Sequence, residues 1–406
     1  MDFANLGLVA ERGTRVTHSG SPWPVFGPAE RAAVNAVLES GRVNYWTGSE
    51  GRKFESEFAE FTGLKHAVVV ANGTVALELA LRALGLPPGS EVITSPFTFI
   101  ATASAIVAAG LTPIFADVDP QSGNITASSI REALTHRTAA VLVVHLGGWP
   151  ADMHSIQTLC SERGLALLED CAQAHGAMIG DRHVGTFSNA AAWSFCTDKI
   201  ISTGGEGGMV ATNDHDLWQR MWSYKDHGKS WSAVYERDHP PGFRWLHESF
   251  GTNWRATEMQ SAIGRVQYRQ LPSWHAQRTK NAQALARLLD AAPGLRIPLP
   301  TTGYTHAYYR LYAYVDSNLF KPGWDRDRVI GTVNARSTIP ISTGSSAEIY
   351  REAAFTLAGI APVAPLPVAQ RMCRESLALL VHPGIVEPDL VTLSDLLLEV
   401  LTEAMD

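Results

Sequence analysis

Lys199 lies in a mostly apolar stretch, residues 193–201, and a glycine-rich turn follows at 204–208. Asp170 lies upstream, in the run 169–176. An amine can form a Schiff base with an aldehyde, and a carboxylate can pair with a protonated pyridine nitrogen. Nearby serine and glycine amides can bind a phosphate, and the glycines leave room for a bulky planar ligand. These residues together predict a pyridoxal phosphate site, with Lys199 and Asp170 as its catalytic residues.

Asp170 ends an apolar run that we predict to be a central strand, and Gln173 lies three residues further on. Ligands of α/β sheets bind at the carboxyl ends of the strands. A carboxylate there keeps the pyridine nitrogen protonated, which makes the ring an electron sink for the carbanion of transamination. Gln173 can hydrogen-bond the phenolic oxygen of the same ring. Taken alone, an aspartate after a strand is more often a turn residue or a helix cap, so that alternative stays open.

Another set of residues can bind the phosphate and the face of the ring. Asn72, Gly73 and Thr74 lie between a predicted strand and a helix that we expect Thr74 to cap. Their backbone amides would converge on an anion at the helix N-terminus. Ser194 can add a hydroxyl, and Phe99 can stack on the ring. The alternatives are an ordinary turn before a helix and simple core packing of Phe99.

Composition and charge limit the partners of the chain. Its 406 residues are 45% hydrophobic and 18% charged, which is enough to bury a large core and predicts one large and one smaller domain. The net charge of −7 argues against a nucleic-acid partner, which would need a clustered basic surface. Apolar runs fall short of the ~20 residues of a membrane helix, and the amino terminus lacks secretory-signal features. We therefore expect a cytoplasmic protein, without a membrane partner, that acts on a small molecule.

Sequence motifs for other chemistries are missing. The 4 cysteines are widely scattered without C-x-x-C spacing, so we expect reduced, mostly buried thiols. Gly228, Lys229 and Ser230 do not form a phosphate-binding loop, because Ser223 stands where that loop needs a glycine. The acidic pairs at 117–119 and 214–216 are far more often turns and caps than metal ligands. We predict no metal site.

The alternation of short β-rich runs with helical patterns predicts an α/β fold. We expect a large domain with a mostly parallel seven-stranded sheet flanked by helices, followed by a smaller C-terminal α/β domain. The predicted strands are 66–71, 91–95, 113–117, 139–145, 165–169, 190–195 and 208–212. The predicted helices are 29–40, 75–84, 256–270, 274–289 and 387–405, and a further strand is expected near 306–315. The predicted divisions are an N-terminal arm at 1–25, a large cofactor-binding domain at 26–265 and a small domain at 266–406.

Residues 231–254 form an aromatic, histidine-rich and proline-rich stretch that is too irregular for a helix or a central strand. We interpret this stretch as an ordered loop near the site. The alternative, a solvated surface excursion, would leave Trp231, Trp245 and Trp254 with little to bury against. Lys229, Arg237 and Arg244 can meet the charge of an acidic substrate, although each singly is more often a solvated surface charge.

Several motifs, in the right order, resemble the DegT/StrS family of pyridoxal phosphate-dependent sugar aminotransferases, which has the aspartate aminotransferase fold (fold type I). The resemblance covers most of the chain. One position departs from the family pattern, because Asn72 replaces the usual serine of its serine-glycine-threonine motif. The matching segments are 47–48, 54–55, 72–77, 92–99, 144–148, 169–176, 194–199, 205–208, 251–255 and 381–383.

The resemblance implies a role for each candidate residue. Lys199 would bind the cofactor covalently, and Asp170 would pair with the pyridine nitrogen. Gln173 would contact the phenolic oxygen and Phe99 would stack on the ring. The residues that would bind the phosphate are Gly73, Thr74 and Ser194. Asn253 is similar to the residue that reaches the phosphate in the neighbouring subunit, so the family implies a homodimer with shared active sites.

The resemblance also implies a reaction in two halves. An amino group would pass from L-glutamate to the cofactor, giving pyridoxamine phosphate, and then to a keto sugar. Lys199 would move the protons as general base and acid. The product would be an amino sugar, and the substrate that the family favours is a nucleotide-linked 3- or 4-keto-deoxysugar of polysaccharide or secondary-metabolite synthesis.

Three other functions remain as alternatives. A sugar dehydrase of the same family would resemble this chain, but a histidine would stand at the position of Lys199. An amino-acid enzyme that uses the same cofactor would need an arginine for the α-carboxylate, and Arg310 or Arg336 can serve. A non-catalytic, cofactor-binding regulator would be expected to carry an appended DNA-binding domain, and the sequence has no signature of one.

Overall fold

The protein is described by a computed structural model that covers residues 18–242 and 244–405. Most of the predicted N-terminal arm therefore lies outside the described residues. Its last part, 18–25, forms neither a helix nor a strand. There the indole nitrogen of Trp23 donates a hydrogen bond of 2.9 Å to the carbonyl of Lys199. This end of the chain therefore contacts the segment that carries the candidate catalytic lysine.

A seven-stranded sheet forms the centre of the larger part of the molecule, in the order β1-β9-β8-β5-β4-β2-β3. Only β9 runs antiparallel to its neighbours. Nearly every strand residue is buried, as expected for a sheet covered on both faces. All seven predicted strands are present, and their bounds differ from the predicted ones by at most two residues. The strands are β1 His66–Val70, β2 Glu91–Thr94, β3 Thr112–Phe115, β4 Thr138–Val144, β5 Ala166–Asp170, β8 Ala190–Ser194 and β9 Gly208–Thr212.

Helices cover both faces of this sheet, which confirms the predicted fold class. Helix α1 begins at Pro28, because a proline in the first turn loses no intrahelical hydrogen bond. It ends at Ser40, and the left-handed Gly41 is its C-cap. The predicted cap of α3 is wrong, since the side chain of Asn72 accepts from the Val75 amide at 3.0 Å and Thr74 lies inside the helix. The helices are α1 Pro28–Ser40, α2 Glu50–Thr62, α3 Gly73–Ala83, α4 Ala101–Ala108, α5 Ala127–Ala133, α6 Met153–Arg163, α7 His215–Tyr224 and α8 Trp231–Tyr235.

The two helices predicted at 256–270 and 274–289 are one continuous helix, α9 Glu258–Leu288, with Pro272 inside it. The proline removes one backbone hydrogen bond. Buried residues on both sides of it, Leu271 and Arg278, keep the helix in place. Arg278 donates to the carbonyl of Tyr308 at 3.2 Å. The predicted domain boundary at 265/266 falls inside α9, and the division into domains stays a prediction.

The C-terminal part packs helices on a second, smaller sheet of order β10-β12-β13. Its core includes Leu311, Leu377 and Leu397. The predicted closing helix has the predicted bounds. The strands are β10 Leu295–Arg296, β12 Leu311–Val315 and β13 Ser376–Leu379, and the helices are α10 Arg326–Arg336, α11 Ala353–Leu357, α12 Pro367–Glu375 and α13 Glu387–Met405. A third sheet consists of β6 Met178–Ile179, β7 Arg182–His183 and β11 Tyr304–Thr305.

None of the helices in the described part of the chain is long and apolar enough to cross a membrane. All four cysteines are free; Cys160 and Cys171 are buried, whereas Cys196 and Cys373 are partly exposed. The expectation of mostly buried thiols therefore holds for half of them.

Candidate active site

A cavity of about 740 Å³ lies where the carboxyl ends of β4, β5 and β8 meet the N-terminus of α3. This is the edge of an α/β sheet where ligands bind. The structure brings seven of the eight predicted site residues to its wall, although they come from distant parts of the sequence. These residues are Gly73, Thr74, Phe99, Asp170, Gln173, Ser194 and Lys199. The eighth, Asn253, does not line the cavity of its own chain.

Lys199 reaches the cavity from the loop that follows β8, and its side chain is 15% exposed. Its Nζ lies 4.0 Å from Oδ1 of Asp198 and 4.8 Å from the ring centroid of Tyr309. Among the described residues, the amine therefore faces an aromatic ring and the carboxylate of Asp198 at long range, with no closer ion pair. This setting leaves the amine available to react.

Asp170 ends β5 and is almost fully buried. Its Oδ1 accepts a hydrogen bond from the Ala172 amide at 3.1 Å, and its Oδ2 accepts one from the Thr102 hydroxyl at 2.8 Å. Burial raises the pKa of Asp170, although these two donors and the nearby Lys199 counteract the shift. A buried carboxylate of this kind is stabilised when a ligand supplies a cation, as a protonated pyridine nitrogen does.

Thr102 is a site residue that the sequence reasoning missed. It lies in the first turn of α4, three residues after Phe99, and its hydroxyl also bonds the Thr98 hydroxyl at 2.8 Å. The hydrogen bond to Asp170 joins residues 68 positions apart in the sequence. The one sequence signal for Thr102 is its spacing, because its hydroxyl comes about one helical turn after Phe99, the residue expected to stack on the ring.

The turn between β1 and α3 packs directly on the end of β8. A Cβ atom on Gly73 would lie 2.6 Å from Cβ of Ser194, and one on Gly208 would lie 2.3 Å from the Asn72 carbonyl oxygen. Glycine is therefore required at both positions. Gly73 and Thr74 form the first turn of α3 and line the cavity together with Ser194. The backbone N–H groups of a first helical turn have no partner within the helix. This cradle fits a phosphate.

Replacing Gly73 with alanine should force α3 away from Ser194. Overpacking of this kind costs about 1–3 kcal/mol, and we expect cofactor affinity to fall roughly tenfold or more. Titration of cofactor-free protein with pyridoxal phosphate, together with thermal unfolding, measures both effects. Gly331→Ala is the matched control, because a Cβ there would meet nothing within 4 Å. Wild-type affinity in Gly73→Ala would show that the close packing is not needed for binding.

Phe99 and Gln173 lie where a planar ring would contact them. Phe99 is 65% exposed, whereas the neighbouring Phe97 is fully buried, so Phe99 is not a core residue. Gln173 accepts from the Gly147 amide at 2.7 Å and donates to the Ser345 hydroxyl at 3.3 Å. The second N–H of its amide group can still donate to a ligand oxygen. The cavity thus offers an apolar face, a buried carboxylate and a phosphate cradle, which together fit pyridoxal phosphate.

A buried histidine and glutamate stabilise the loops behind Asp170. Nε2 of His145 lies 3.0 Å from Oε2 of Glu169, and Nδ1 accepts from the Ala151 amide at 3.1 Å. Glu169 also accepts from the amides of Gly185 and Phe187, at 2.7 and 3.1 Å. Both side chains are therefore fully used in holding the ends of β4 and β5.

Three further residues that line the cavity, Asp198, Tyr309 and Arg310, form a cluster that the sequence reasoning did not recognise. The hydroxyl of Tyr309 donates to Asp198, and Nη2 of Arg310 lies 3.8 Å from Oδ2 of Asp198. Burial alone would raise the pKa of Asp198, but Lys199, Tyr309 and Arg310 together hold it below its usual value. Of the two arginines considered from the sequence, Arg310 lines the cavity, whereas Arg336 lies on α10 and pairs with Glu399 and Glu403.

The model of the DegT/DnrJ/EryC1/StrS aminotransferase family matches residues 25–395 of the sequence. The chain belongs to this family. Family membership confirms the predicted type I fold, pyridoxal phosphate as the cofactor and aminotransferase chemistry.

Relatives of known structure or activity agree with this placement. The aminotransferase from Psychrobacter cryohalolentis is 49% identical, with a TM-score of 0.92, over 95% of this chain and 100% of that one. A dTDP-3-amino-3,4,6-trideoxy-alpha-D-glucose transaminase of Streptomyces venezuelae is 35% identical over 90% of both chains. A UDP-N-acetyl-3-dehydro-alpha-D-glucosamine 3-aminotransferase of Acidithiobacillus ferrooxidans is 39% identical over 66% of this chain and 69% of that one.

In this aminotransferase, Asn253 is exposed and lies apart from the cavity. Its backbone forms a bridge with Asp226, and the amide of the adjacent Trp254 donates to the carbonyl of Lys225 at 3.0 Å. Asp226 in turn forms ion pairs with Lys229 at 2.9 Å and with Arg255 at 2.6 Å. These backbone contacts and ion pairs hold the segment around Asn253 in place, and the Asn253 side chain faces the outside of the subunit.

The aromatic stretch at 231–254 differs from its prediction. Part of it is helical, since α8 covers Trp231–Tyr235. Trp231 packs on Trp222 with ring centroids 5.0 Å apart, whereas Trp245 is 81% exposed. None of its described residues lines the aminotransferase cavity of the same chain, because the stretch packs on the outer side of α7. Lys229, Arg237 and Arg244 also lie outside the cavity, and Arg237 pairs with Glu248.

Proposed function

We propose that this aminotransferase moves an amino group from L-glutamate to the keto carbon of a nucleotide-linked 3- or 4-keto-deoxysugar, giving an amino sugar. One observation carries the proposal: Lys199 and the buried Asp170 face the same cavity, beside the cradle at the start of α3. The curated relatives support the substrate class, because the names of both describe amino groups on nucleotide-linked sugars.

Pyridoxal phosphate supplies the aldehyde that takes up the amino group and the electron sink that stabilises the carbanion. Lys199 would hold the cofactor through its Nζ. Once the donor's amine has displaced it, the free Nζ would accept the proton of the donor's α-carbon and pass it to the cofactor carbon that bears the nitrogen. Asp170 would keep the ring nitrogen protonated, and Thr102 orients that carboxylate through a hydrogen bond to Oδ2. Phe99 would contact the face of the ring, and Gln173 would contact its phenolic oxygen. In the second half-reaction, the same groups would act in reverse order on the keto sugar.

We also propose that the enzyme is a cytoplasmic homodimer and that Asn253 binds the phosphate in the active site of the partner subunit. An outward-facing polar residue on a rigid base, away from its own cavity, supports a contact with a second copy. The net charge of −7 and the small-molecule cavity are in keeping with an enzyme that has no nucleic-acid partner.

Mixing two inactive variants should restore activity if the sites are shared. Lys199→Ala removes the lysine, and Asn253→Asp places a like charge against the phosphate. A dimer with one subunit of each kind would contain one site with both defects and one intact site. At equal mixing, roughly a quarter of wild-type activity should return. Two copies of Lys199→Ala tagged differently are the control, and no recovery in the Lys199→Ala and Asn253→Asp mixture would contradict the shared site.

A spectral experiment tests the proposed reaction. L-glutamate should abolish the visible absorbance of the lysine-bound cofactor, and a nucleotide-linked keto sugar should restore it. A dehydrase would consume the sugar without any donor, and a regulator would bind the cofactor without turnover. Unchanged absorbance with L-glutamate and with other amino acids would overturn the proposed function.

A further inference from the structure

The main chain of Lys199 is held by a residue that does not line the catalytic cavity. The indole N–H of Trp23 donates to the Lys199 carbonyl at 2.9 Å, across 176 positions of the sequence. The amide of Lys199, in contrast, bonds within its own loop, to the Cys196 carbonyl at 3.1 Å. Trp23 therefore fastens the lysine-bearing loop to a separate part of the chain.

The ring of Trp23 is enclosed by side chains from α9 and from the loop after β13. Trp274 packs on it edge to face, with ring centroids 4.9 Å apart, and the ring of His382 stacks on it at 5.8 Å. The guanidinium of Arg278, one turn after Trp274 on α9, lies 4.8 Å from its centroid. These contacts fix the plane of the indole, and with it the direction of its N–H.

Arg278 connects the two sides of Lys199. Its side chain is fully buried, and Nη1 donates to the carbonyls of Tyr308 and Tyr309 at 3.2 and 3.5 Å. Its Nε and Nη2 have no hydrogen-bond partner among the described residues, so its charge is offset by the two carbonyls and by the indole face. Nζ of Lys199 lies 4.8 Å from the ring centroid of Tyr309. One buried arginine thus contacts both the residue beside the lysine amine and Trp23, which bonds the lysine carbonyl.

The chain on both sides of Trp23 is fastened to helices. The Ser19 amide donates to Oδ1 of Asp389 on α13 at 2.7 Å. Nε2 of Gln267 on α9 donates to the Val25 carbonyl at 2.9 Å. Both helix residues are buried. Trp23 is therefore placed by contacts that do not depend on a bound ligand, as the supporting residues of a pre-organised site must be.

A fixed main chain matters because the amine of Lys199 has two tasks. It would hold the cofactor, and after its release it would carry a proton between two carbon atoms. The stem of a lysine side chain is flexible, so the main chain is the fixed point from which Nζ must reach the same place each time. A misplacement of about 1 Å in a reacting group can slow catalysis by roughly a hundredfold.

We propose that Trp23 is a positioning residue for the catalytic lysine: its indole N–H fixes the main chain of Lys199, and Arg278 holds the indole in place. Trp23 acts through Lys199 and lies outside the cavity in which the cofactor and the substrates bind. The inference rests on the proposed role of Lys199 and extends the site to the N-terminal segment, residues 18–25.

Trp23→Phe tests this role, because it keeps an aromatic ring beside Arg278 and removes the N–H. When saturating pyridoxal phosphate is added to cofactor-free protein, the absorbance of the lysine-bound cofactor should appear roughly fivefold to tenfold more slowly, as expected for the loss of one hydrogen bond. Trp324→Phe is the matched control, since Trp324 also has an arginine over its ring, Arg328 at 4.4 Å, and does not line the cavity. Its rate should equal that of wild type. An unchanged rate in Trp23→Phe would overturn the proposal.

The Lys199→Ala background separates positioning from a general loss of structure. Pyridoxal phosphate would be titrated calorimetrically into Lys199→Ala and into the double variant Trp23→Phe/Lys199→Ala. The two affinities should agree within about twofold, because Trp23→Phe acts through the lysine side chain and leaves the Gly73 cradle and Asp170 unchanged. A further loss of roughly fivefold or more in the double variant would show that Trp23 supports the whole site, and it would overturn the proposal.

These measurements need neither an amino donor nor a sugar, which separates the inference from the proposed function. If wild type formed the lysine-bound cofactor but L-glutamate left its absorbance unchanged, the proposed function would be wrong, and the rate of Trp23→Phe would still decide the inference. If Lys199→Ala itself gained the absorbance of a lysine-bound cofactor, the assignment of Lys199 would be wrong and the inference would be overturned with it.

Discussion

Replacing Lys199 with alanine should abolish turnover, with a loss of at least ~10⁴-fold. The variant loses both the covalent bond to the cofactor and the amine that moves the proton. The protein should still fold, because within the described part of the chain the side chain makes no close hydrogen bond, and the nearest carboxylate oxygen there is 4.0 Å away. Activity with L-glutamate and a keto sugar, the visible spectrum and the melting temperature together measure these effects.

Lys280→Ala is the control for this variant, since Lys280 is an exposed lysine on α9. It should keep wild-type activity and spectrum. Lys199→Ala should retain some cofactor without a covalent bond, because the Gly73 cradle and Asp170 are unchanged. Wild-type turnover in Lys199→Ala would refute the assignment of the catalytic lysine.

Replacing Asp170 with asparagine should weaken cofactor retention and slow the reaction, each by roughly tenfold to a hundredfold. Asparagine can accept from the Ala172 amide and donate to the Thr102 hydroxyl, so the local contacts survive and only the charge is lost. The ring nitrogen would then lose the partner that keeps it protonated. Cofactor titration and single-turnover rates measure the two losses.

The cofactor-free form of this variant should be no less stable than wild type at neutral pH. Burial raises the pKa of Asp170 in the folded protein above its pKa in the unfolded chain. The folded protein therefore loses stability as the pH rises from the lower of these pKa values through the higher one. Asparagine removes this cost. Asp181→Asn, at an exposed position, is the control. Unchanged cofactor affinity in Asp170→Asn would mean that Asp170 is only a turn residue.

The sheet could be predicted from the sequence because each of its strands is a short apolar run bounded by turn residues. The same reasoning split α9 at Pro272, since the local cost of a proline is visible in the sequence but the packing of Leu271 and Arg278 is not. It also placed the cap of α3 on Thr74 instead of Asn72. Both amino acids can cap a helix, and only the backbone geometry decides between them.

The candidate site was predictable where residues follow strands. Asp170 and Ser194 end neighbouring parallel strands, so both side chains had to meet at one edge of the sheet. The pairing of Thr102 with Asp170 and of Arg310 with Asp198 had no such signal. The members of these pairs are 68 and 112 positions apart in the sequence. The exposed Trp245 shows the reverse error, since an aromatic residue does not by itself indicate burial.

Transfer of ¹⁵N tests the central claim most directly. The enzyme would be incubated with ¹⁵N-labelled L-glutamate and a panel of dTDP-, UDP- and GDP-linked 3- and 4-keto-deoxysugars, and the products would be analysed by mass spectrometry. We predict that one or more of the sugars gains a labelled amino group and that Lys199→Ala gives none. Loss of label from L-glutamate without a labelled sugar, or a sugar product that has lost a hydroxyl and gained no nitrogen, would contradict the account.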